Sequence, residues 1–290
     1  MLVPTSYSPR SKIQLEGGLT LSPGKRVAKE YSSNKHYFDS VIIDGSEENV
    51  KSLLVFHGFV ADEDVGVTHY EQYGSGDYRL IEIEGEPAKS SDYNDIAPTL
   101  MQFTPNPKVP HPAIAYTDLF KTYLQLSDDK KPLFKTYLTD LYRFHTFPSR
   151  ILLDSSYWQL VLYYAIAEAI IGKSEDCCQE FNCTCCNREG LRHPRYGRKT
   201  WFKKRLLELC ENSECADDYA STLEKASEVR HPAVHTAIHP TAEYVVPKAG
   251  ITSYDGSGYL QDEAHLQSLV LQVKDVARGL LLIALDIQPR

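Results

Sequence analysis

The chain has no long apolar run. Its longest late stretch, GLLLIAL at 279 to 285, is far shorter than the roughly 20 residues a membrane-spanning helix needs. The first residues, MLVPTSYSPRSKIQLEGG, hold no apolar segment of signal-peptide length. These absences lead to the expectation of a cytoplasmic protein with no membrane partner. An excess of positive charge is missing too: 31 Lys and Arg against 39 Asp and Glu give a net charge of -8. That balance excludes a protein that coats nucleic acid nonspecifically, because phosphate binding rests on clustered cations. Seven cysteines, an odd number with five packed between 177 and 186, fit reduced thiols or a metal site better than a disulfide framework. Gly-rich phosphate loops, a GxSxG elbow and an HExxH helix are absent as well.

What is present is ordinary for a globular protein: 290 residues, 42% hydrophobic and 24% charged, enough for two modest cores. The fold class expected is α+β, with a β-rich N-terminal domain over 1–110 and an all-α bundle over 113–290. Residues 1 to about 35 are polar, carry Pro4, Pro9 and Pro23, and read as an extended arm or edge strands. The runs SVIIDG, SLLVFHGFV and YRLIEIEG are rich in Val, Ile, Tyr and Phe and bounded by turn residues, which predicts strands. Prolines at 98, 105, 107, 110 and 112 forbid a continuous helix or central strand there, so this stretch is expected to be the linker between the domains. Beyond it the period becomes helical: AIAYTDLFKTYLQL, then PLFKTYLTDLYRF with Pro132 in a first turn. Ser155 or Ser156 is expected to cap the helix YWQLVLYYAIAEAIIG, whose apolar residues cover nearly its whole circumference. Helices near Trp201 to Cys210 and Asp217 to Val229 and a long terminal one complete the bundle.

The segment KASEVRHPAVHTA brings Arg230, His231, Pro232 and His235 together at the end of a predicted helix. Arginine, four residues, histidine is the signature spacing of HEPN ribonucleases. The surrounding order is similar to theirs, particularly to the Apea-like branch: an apolar helix with an internal Glu168, a basic helix, the motif, then a Leu-rich terminal helix. The resemblance covers roughly the last 135 residues. It implies a metal-independent endoribonuclease that works as a homodimer, one motif from each protomer meeting in a shared cleft, commonly in toxin–antitoxin or antiviral defence with an antitoxin or regulatory protein as partner. The chemistry suits the residues. A histidine titrating near neutrality can take the proton from a ribose 2′-hydroxyl and return one to the leaving oxygen, a role for His235. An arginine offers a planar, permanent charge to phosphate oxygens, a role for Arg230, with His231 orienting its neighbours or joining proton transfer. On an unbroken helix Arg230 and His235 stand about 140° apart; Pro232 is therefore expected to break the helix or open a fresh first turn. The plainer reading makes Arg230 a solvated or ion-paired helix-end residue and His235 an ordinary packed histidine; a further alternative is a non-catalytic HEPN-like module that binds RNA or protein without cutting.

Three other groups compete for chemistry. His231, His235 and His239 recur every four residues and would share a face of a continuous helix as metal ligands. Cys177, Cys178, Cys183, Cys185 and Cys186, followed by His193, offer soft ligands for a structural zinc, although no pair of CxxC knuckles is present; the other reading is a reduced loop. Cys210 and Cys215 are either further ligands or buried small side chains. The segment REGLRHPRYGRKTWFKKR carries Arg195, Arg198, Lys199, Lys203, Lys204 and Arg205 with Trp201 interleaved. Cations that hold a backbone beside rings that stack on bases suit single-stranded RNA; a solvated helix face is the plainer reading.

Overall fold

The structure is a computed structural model and describes residues 2–5, 8–31, 34–62, 79–82, 90–91, 115–146, 152–172, 179–182, 189–192, 198–236 and 259–287. It divides into two compact units, Met1–Phe147 and Pro148–Arg290. The architecture is α+β: a small sheet lies in the N-terminal region and the elements that follow are mostly helices. The expected linker in the Pro-rich stretch at 98–112 lies outside the described residues.

The first unit is organised around one long strand. β1 (Leu2–Thr5), β2 (Ser8–Pro9), β3 (Ile13–Gln14), β4 (Thr20–Pro23), β5 (Val27–Tyr31) and β6 (Asn34–Asp44) follow in order. β6 is antiparallel to β5 over its first half and to both β4 and β1 over its second. β7 (Arg79–Glu82) pairs with β5, and β3 with β4, which completes six strands. β8 (Ser90–Ser91) pairs separately with β2. Alternation places Val41 and Ile43 inside while Ile42 and Asp44 stay exposed. Where the chain passes from β4 to β5, Gly24 donates to the Ser40 carbonyl at 3.0 Å. A Cβ at residue 24 would lie 2.5 Å from that same oxygen, so glycine is required there.

The run SLLVFHGFV, predicted as a strand, is helical and belongs to α1 (Glu47–Ala61). A short apolar run buried all round has no period to betray its conformation. The flanks decide instead. Ser46 caps the helix by accepting from the Asn49 N–H, Glu47 and Glu48 occupy the first turn, and Asp62 closes it in the left-handed conformation at φ 52°. SVIID of SVIIDG lies in β6, and the described part of YRLIEIEG, Arg79–Glu82, forms β7.

α2 (Tyr116–Gln125) and α3 (Lys131–Thr146) pack on α1. Both helices stand where the period predicted them, and Pro132 sits in the first turn of α3. They belong to the first unit, however, where the sequence reading assigned them to the second. The reason is their aromatic faces. Phe56 of α1 lies 5.1 to 5.5 Å, ring centre to ring centre, from Tyr116, Phe120 and Tyr123. Phe59 lies 4.8 Å from Phe134 and 5.5 Å from Tyr137. Each such pair contributes about 1 kcal/mol beyond the area it buries, which binds both helices to α1.

The second unit is a helical bundle made of α4 (Leu152–Ile171), α5 (Arg198–Leu209), α6 (Ser213–Thr236) and α7 (Tyr259–Ala284). α4 and α7 form the main pair, α6 packs on both, and α5 lies along α6. Leu160, Tyr164, Ala167 and Ile171 of α4 meet a core shared with Leu223 and Ala226 of α6 and Val273, Ala277 and Leu280 of α7. α4 starts at Leu152, ahead of both serines expected to cap it, and Ser156 is buried inside the helix. The bundle is not purely helical: β9 (Gln179–Asn182) and β10 (Glu189–Arg192) form an antiparallel pair on either side of residues 183–188. The two short strands, QEFN and EGLR, are largely polar and show no hydrophobic alternation, so the pattern does not announce them.

Candidate active site

α6 carries the Arg/His motif, and its described residues fix its register. Ala216 and Leu223 are buried, Asp217 and Glu224 half-buried, Asp218 and Lys225 exposed. Residues seven apart lie nearly over one another on a helix. Two turns beyond each of these pairs come Arg230, His231 and Pro232 respectively. Arg230 thus takes a register position on the inward line, His231 one on its half-buried flank, and Pro232 one on the exposed line. His235 follows His231 by one turn and shares that flank.

Pro232 does not break the helix, which runs on to Thr236. This corrects the expected break. A proline inside a helix removes one N–H from the ladder and crowds the preceding turn, and this helix continues past it for four more residues. One consequence follows for the motif: Arg230 and His235 stand about 140° apart around a continuous helix. The side chains of Arg230, His231 and His235 fall outside the described set, and His239 lies outside the described residues altogether.

α5 brings part of the basic segment to the bundle. Phe202 and Leu206 form its buried line, Phe202 meeting Tyr164 edge to face at 6.1 Å. Arg205 turns inward and donates from Nε and Nη2 to the Ile171 carbonyl at 3.3 and 3.0 Å, and it pairs with Glu208. It thereby serves the last carbonyl of α4, just where Gly172 ends that helix at φ 65°. Lys203 bonds Asp217 of α6 at 2.7 Å. Lys204 is exposed. Arg198, Lys199 and Trp201 belong to α5 with side chains outside the described set, and Arg195 lies outside the described residues.

Cys177, Cys178, Cys183, Cys185, Cys186 and His193, the candidate zinc ligands, lie outside the described residues. Among the described residues no group of three or more His, Cys, Asp or Glu is placed to hold a metal ion, and no helix is long and apolar enough to cross a membrane.

The structure adds groups that the sequence reading did not join. Cys210 and Cys215, both buried and free, stand on either side of the junction of α5 and α6, with buried Tyr219 one turn further along α6. Gly279, inside the apolar terminal helix, marks the close approach of Tyr219; a glycine inside an otherwise strong helical pattern is the signal that pointed there. In the first unit, His57 is fully buried with Nδ1 2.9 Å from the Tyr116 hydroxyl. Burial without a compensating charge lowers its pKa to about 4. No protein-family model, curated protein or solved structure matches the chain.

Proposed function

We propose that the second unit is an endoribonuclease module of the HEPN type, cutting single-stranded RNA in the cytoplasm without a metal ion. The observation that carries this reading is the placement of Arg230, His231 and His235 in the last two turns of a single bundle helix. His235 takes the 2′-hydroxyl proton, the freed oxygen attacks the adjacent phosphorus, and a protonated imidazole supplies the 5′-oxygen as it leaves. Arg230 holds the phosphate oxygens as charge builds on them. A separation of about 140° prevents one protomer from aiming both groups at one phosphate. Each site therefore takes Arg230 from one protomer and His235 from the other. An apolar line on the surface of α4, running through exposed Trp158, half-buried Leu162 and exposed Ala165 and Ala169, supports pairing of two copies. Lys204 and the neighbouring basic residues of α5 track the RNA backbone, and the resemblance makes toxin or antiviral defence, with a regulatory protein partner, the biological setting.

A second reading is a HEPN-like module that binds RNA or protein without cutting, stabilised by zinc at its cysteine-rich insertion. It is favoured by the register of Arg230, on the line of the buried Ala216 and Leu223, and by Arg205 being engaged within the bundle. Incubation of the purified chain with single-stranded RNA in EDTA separates the two. Cleavage leaving a 2′,3′-cyclic phosphate, reduced roughly a hundredfold or more in Arg230→Ala and His235→Ala, supports the first. Binding without cleavage supports the second, and cleavage unchanged in both variants removes the proposed site.

A further inference from the structure

The first unit brings an exposed aromatic ring and a cation together on its sheet. Where β4 gives way to β5 the backbone is pinned to β6 at two points: the Gly24 N–H donates to the Ser40 carbonyl at 3.0 Å, and the Ser40 hydroxyl donates to the Lys25 carbonyl. Arg26 follows directly. Its guanidinium carbon lies 5.8 Å from the centre of the Tyr37 ring, within cation–π range. Tyr37 nonetheless remains 59% exposed, an uncommon position for a large ring in a strand.

The strand register extends this pair into a face. Residues paired across an antiparallel sheet share a side, and the side alternates along each strand. Tyr37 pairs with Ala28 and Ala28 with Ile81; two residues along, Lys35 pairs with Glu30 and Glu30 with Arg79. One face of β6, β5 and β7 thus carries Tyr37, Lys35 and Arg79 by position, with Arg26 beside the ring. Ala28 forms its buried floor, so the middle strand sets no bulky side chain next to Tyr37. Val27, fully buried, takes the opposite and more apolar face with Phe38 and Leu80.

Arg26, Lys35 and Arg79 stand on this face against the acid Glu30, in a chain whose net charge is -8. That local excess of cations is complementary to a polyanion. The exposed ring narrows the choice. An unpaired base stacks on an aromatic face while neighbouring cations hold the backbone, whereas the bases of a duplex already stack on one another. We propose that this face of β5, β6 and β7 is a platform for single-stranded RNA, with Tyr37 stacking a base and Arg26, Lys35 and Arg79 meeting the phosphates beside it. The choice of RNA over DNA rests on the ribonuclease reading of the second unit; the stacking and the charge do not. The platform adds affinity for the strand and takes no part in the chemistry.

Fluorescence anisotropy of a labelled 2′-O-methyl RNA of about 12 nucleotides, titrated with the full chain in EDTA, tests this. The methylated strand has no 2′-hydroxyl free to attack, so the result does not depend on whether the second unit cuts RNA. Tyr37→Ala should weaken binding roughly tenfold, and Tyr37→Phe, which keeps the ring, should bind like wild type. An abasic strand of the same length should bind wild type and Tyr37→Ala alike, because nothing is left to stack. Arg26→Ala should lower the slope of log K against log salt by about 0.7, the share of one phosphate on a single strand. Equal affinity of wild type and Tyr37→Ala for the 2′-O-methyl strand overturns the proposal, as does an equal loss on the abasic strand or no binding by wild type. Tighter binding of DNA of the same sequence overturns the assignment to RNA.

Discussion

The two units hold their cores together by different means. In the first, rings from three helices pack around Phe56 and Phe59, and the polar atoms among them are paired: His57 with the Tyr116 hydroxyl, Tyr137 with Asp62 Oδ1 at 2.9 Å. In the second, the core is built largely of Leu, Val and Ala, and polar groups are buried within it, including Ser227, Arg278 and the thiol pair. Ser156 Oγ and the Tyr219 hydroxyl lack partners among the described residues. Closed polar pairs rigidify a structure, whereas open ones mark where chemistry or a ligand has a claim. The contrast is between a core closed by ring contacts and paired polar atoms and one that leaves two buried hydroxyls without partners among the described residues.

Both tryptophans, Trp158 and Trp201, belong to the second unit, so tryptophan fluorescence follows it while near-ultraviolet tyrosine dichroism weighs the first. Phe134→Ala should produce the largest change. Removing a fully buried ring costs about 3–5 kcal/mol, lowering the urea midpoint seen by tyrosine dichroism and leaving the tryptophan transition in place. A matching drop in both signals would show that the cores do not unfold separately.

A pH effect of about 3 kcal/mol should follow from His57, whose folded pKa of about 4 lies below an unfolded value near 6.5. The folded state holds the ring neutral and the unfolded state binds the proton. This stabilisation is full above pH 6.5 and is lost as the pH falls toward 4. Urea titrations across that window read the slope, which His57→Gln should flatten. An equally steep slope in the variant would place the titrating group elsewhere.

A smaller loss, about 1–3 kcal/mol from overpacking, is expected in the second unit for Gly279→Ala, whose new methyl meets the Tyr219 hydroxyl. Here the tryptophan transition should shift and the tyrosine signal of the first core should not. An unshifted tryptophan midpoint would mean that α6 and α7 do not approach as closely as the structure has them.

The α+β class was legible because strand-like runs gather early in the chain and helix-like runs later, and SVIIDG, YRLIEIE and the helices around Leu119 and Phe134 declare their periods. SLLVFHGFV did not, since Leu53 to Val60 are buried on every side and only the Ser46 cap distinguishes helix from strand. The boundary between units was misplaced for a related reason: composition shows where prolines interrupt the chain, but not which core the rings of α2 and α3 enter. At the candidate site the spacing of Arg230 and His235 was visible, yet Pro232 suggested a break that the helix does not make. A proline disfavours the helix locally without forbidding it, and the sequence around Pro232 does not show that the rest of the helix outweighs that cost. The close approach of Tyr219 to Gly279 depends on the packing of α6 on α7, and its one sequence signal is a glycine inside a strong helical pattern.

The continuous helix beneath Arg230 and His235 makes the shared site the central claim, and complementation tests it most directly. Arg230→Ala and His235→Ala proteins, each inactive alone on single-stranded RNA, are mixed in equal amounts and allowed to exchange protomers. Half the dimers are then mixed, and each mixed dimer holds one intact site formed by Arg230 of one protomer and His235 of the other. Activity should recover to roughly one quarter of wild type. No recovery, with protomer exchange verified, would contradict a site assembled from two copies of this helix.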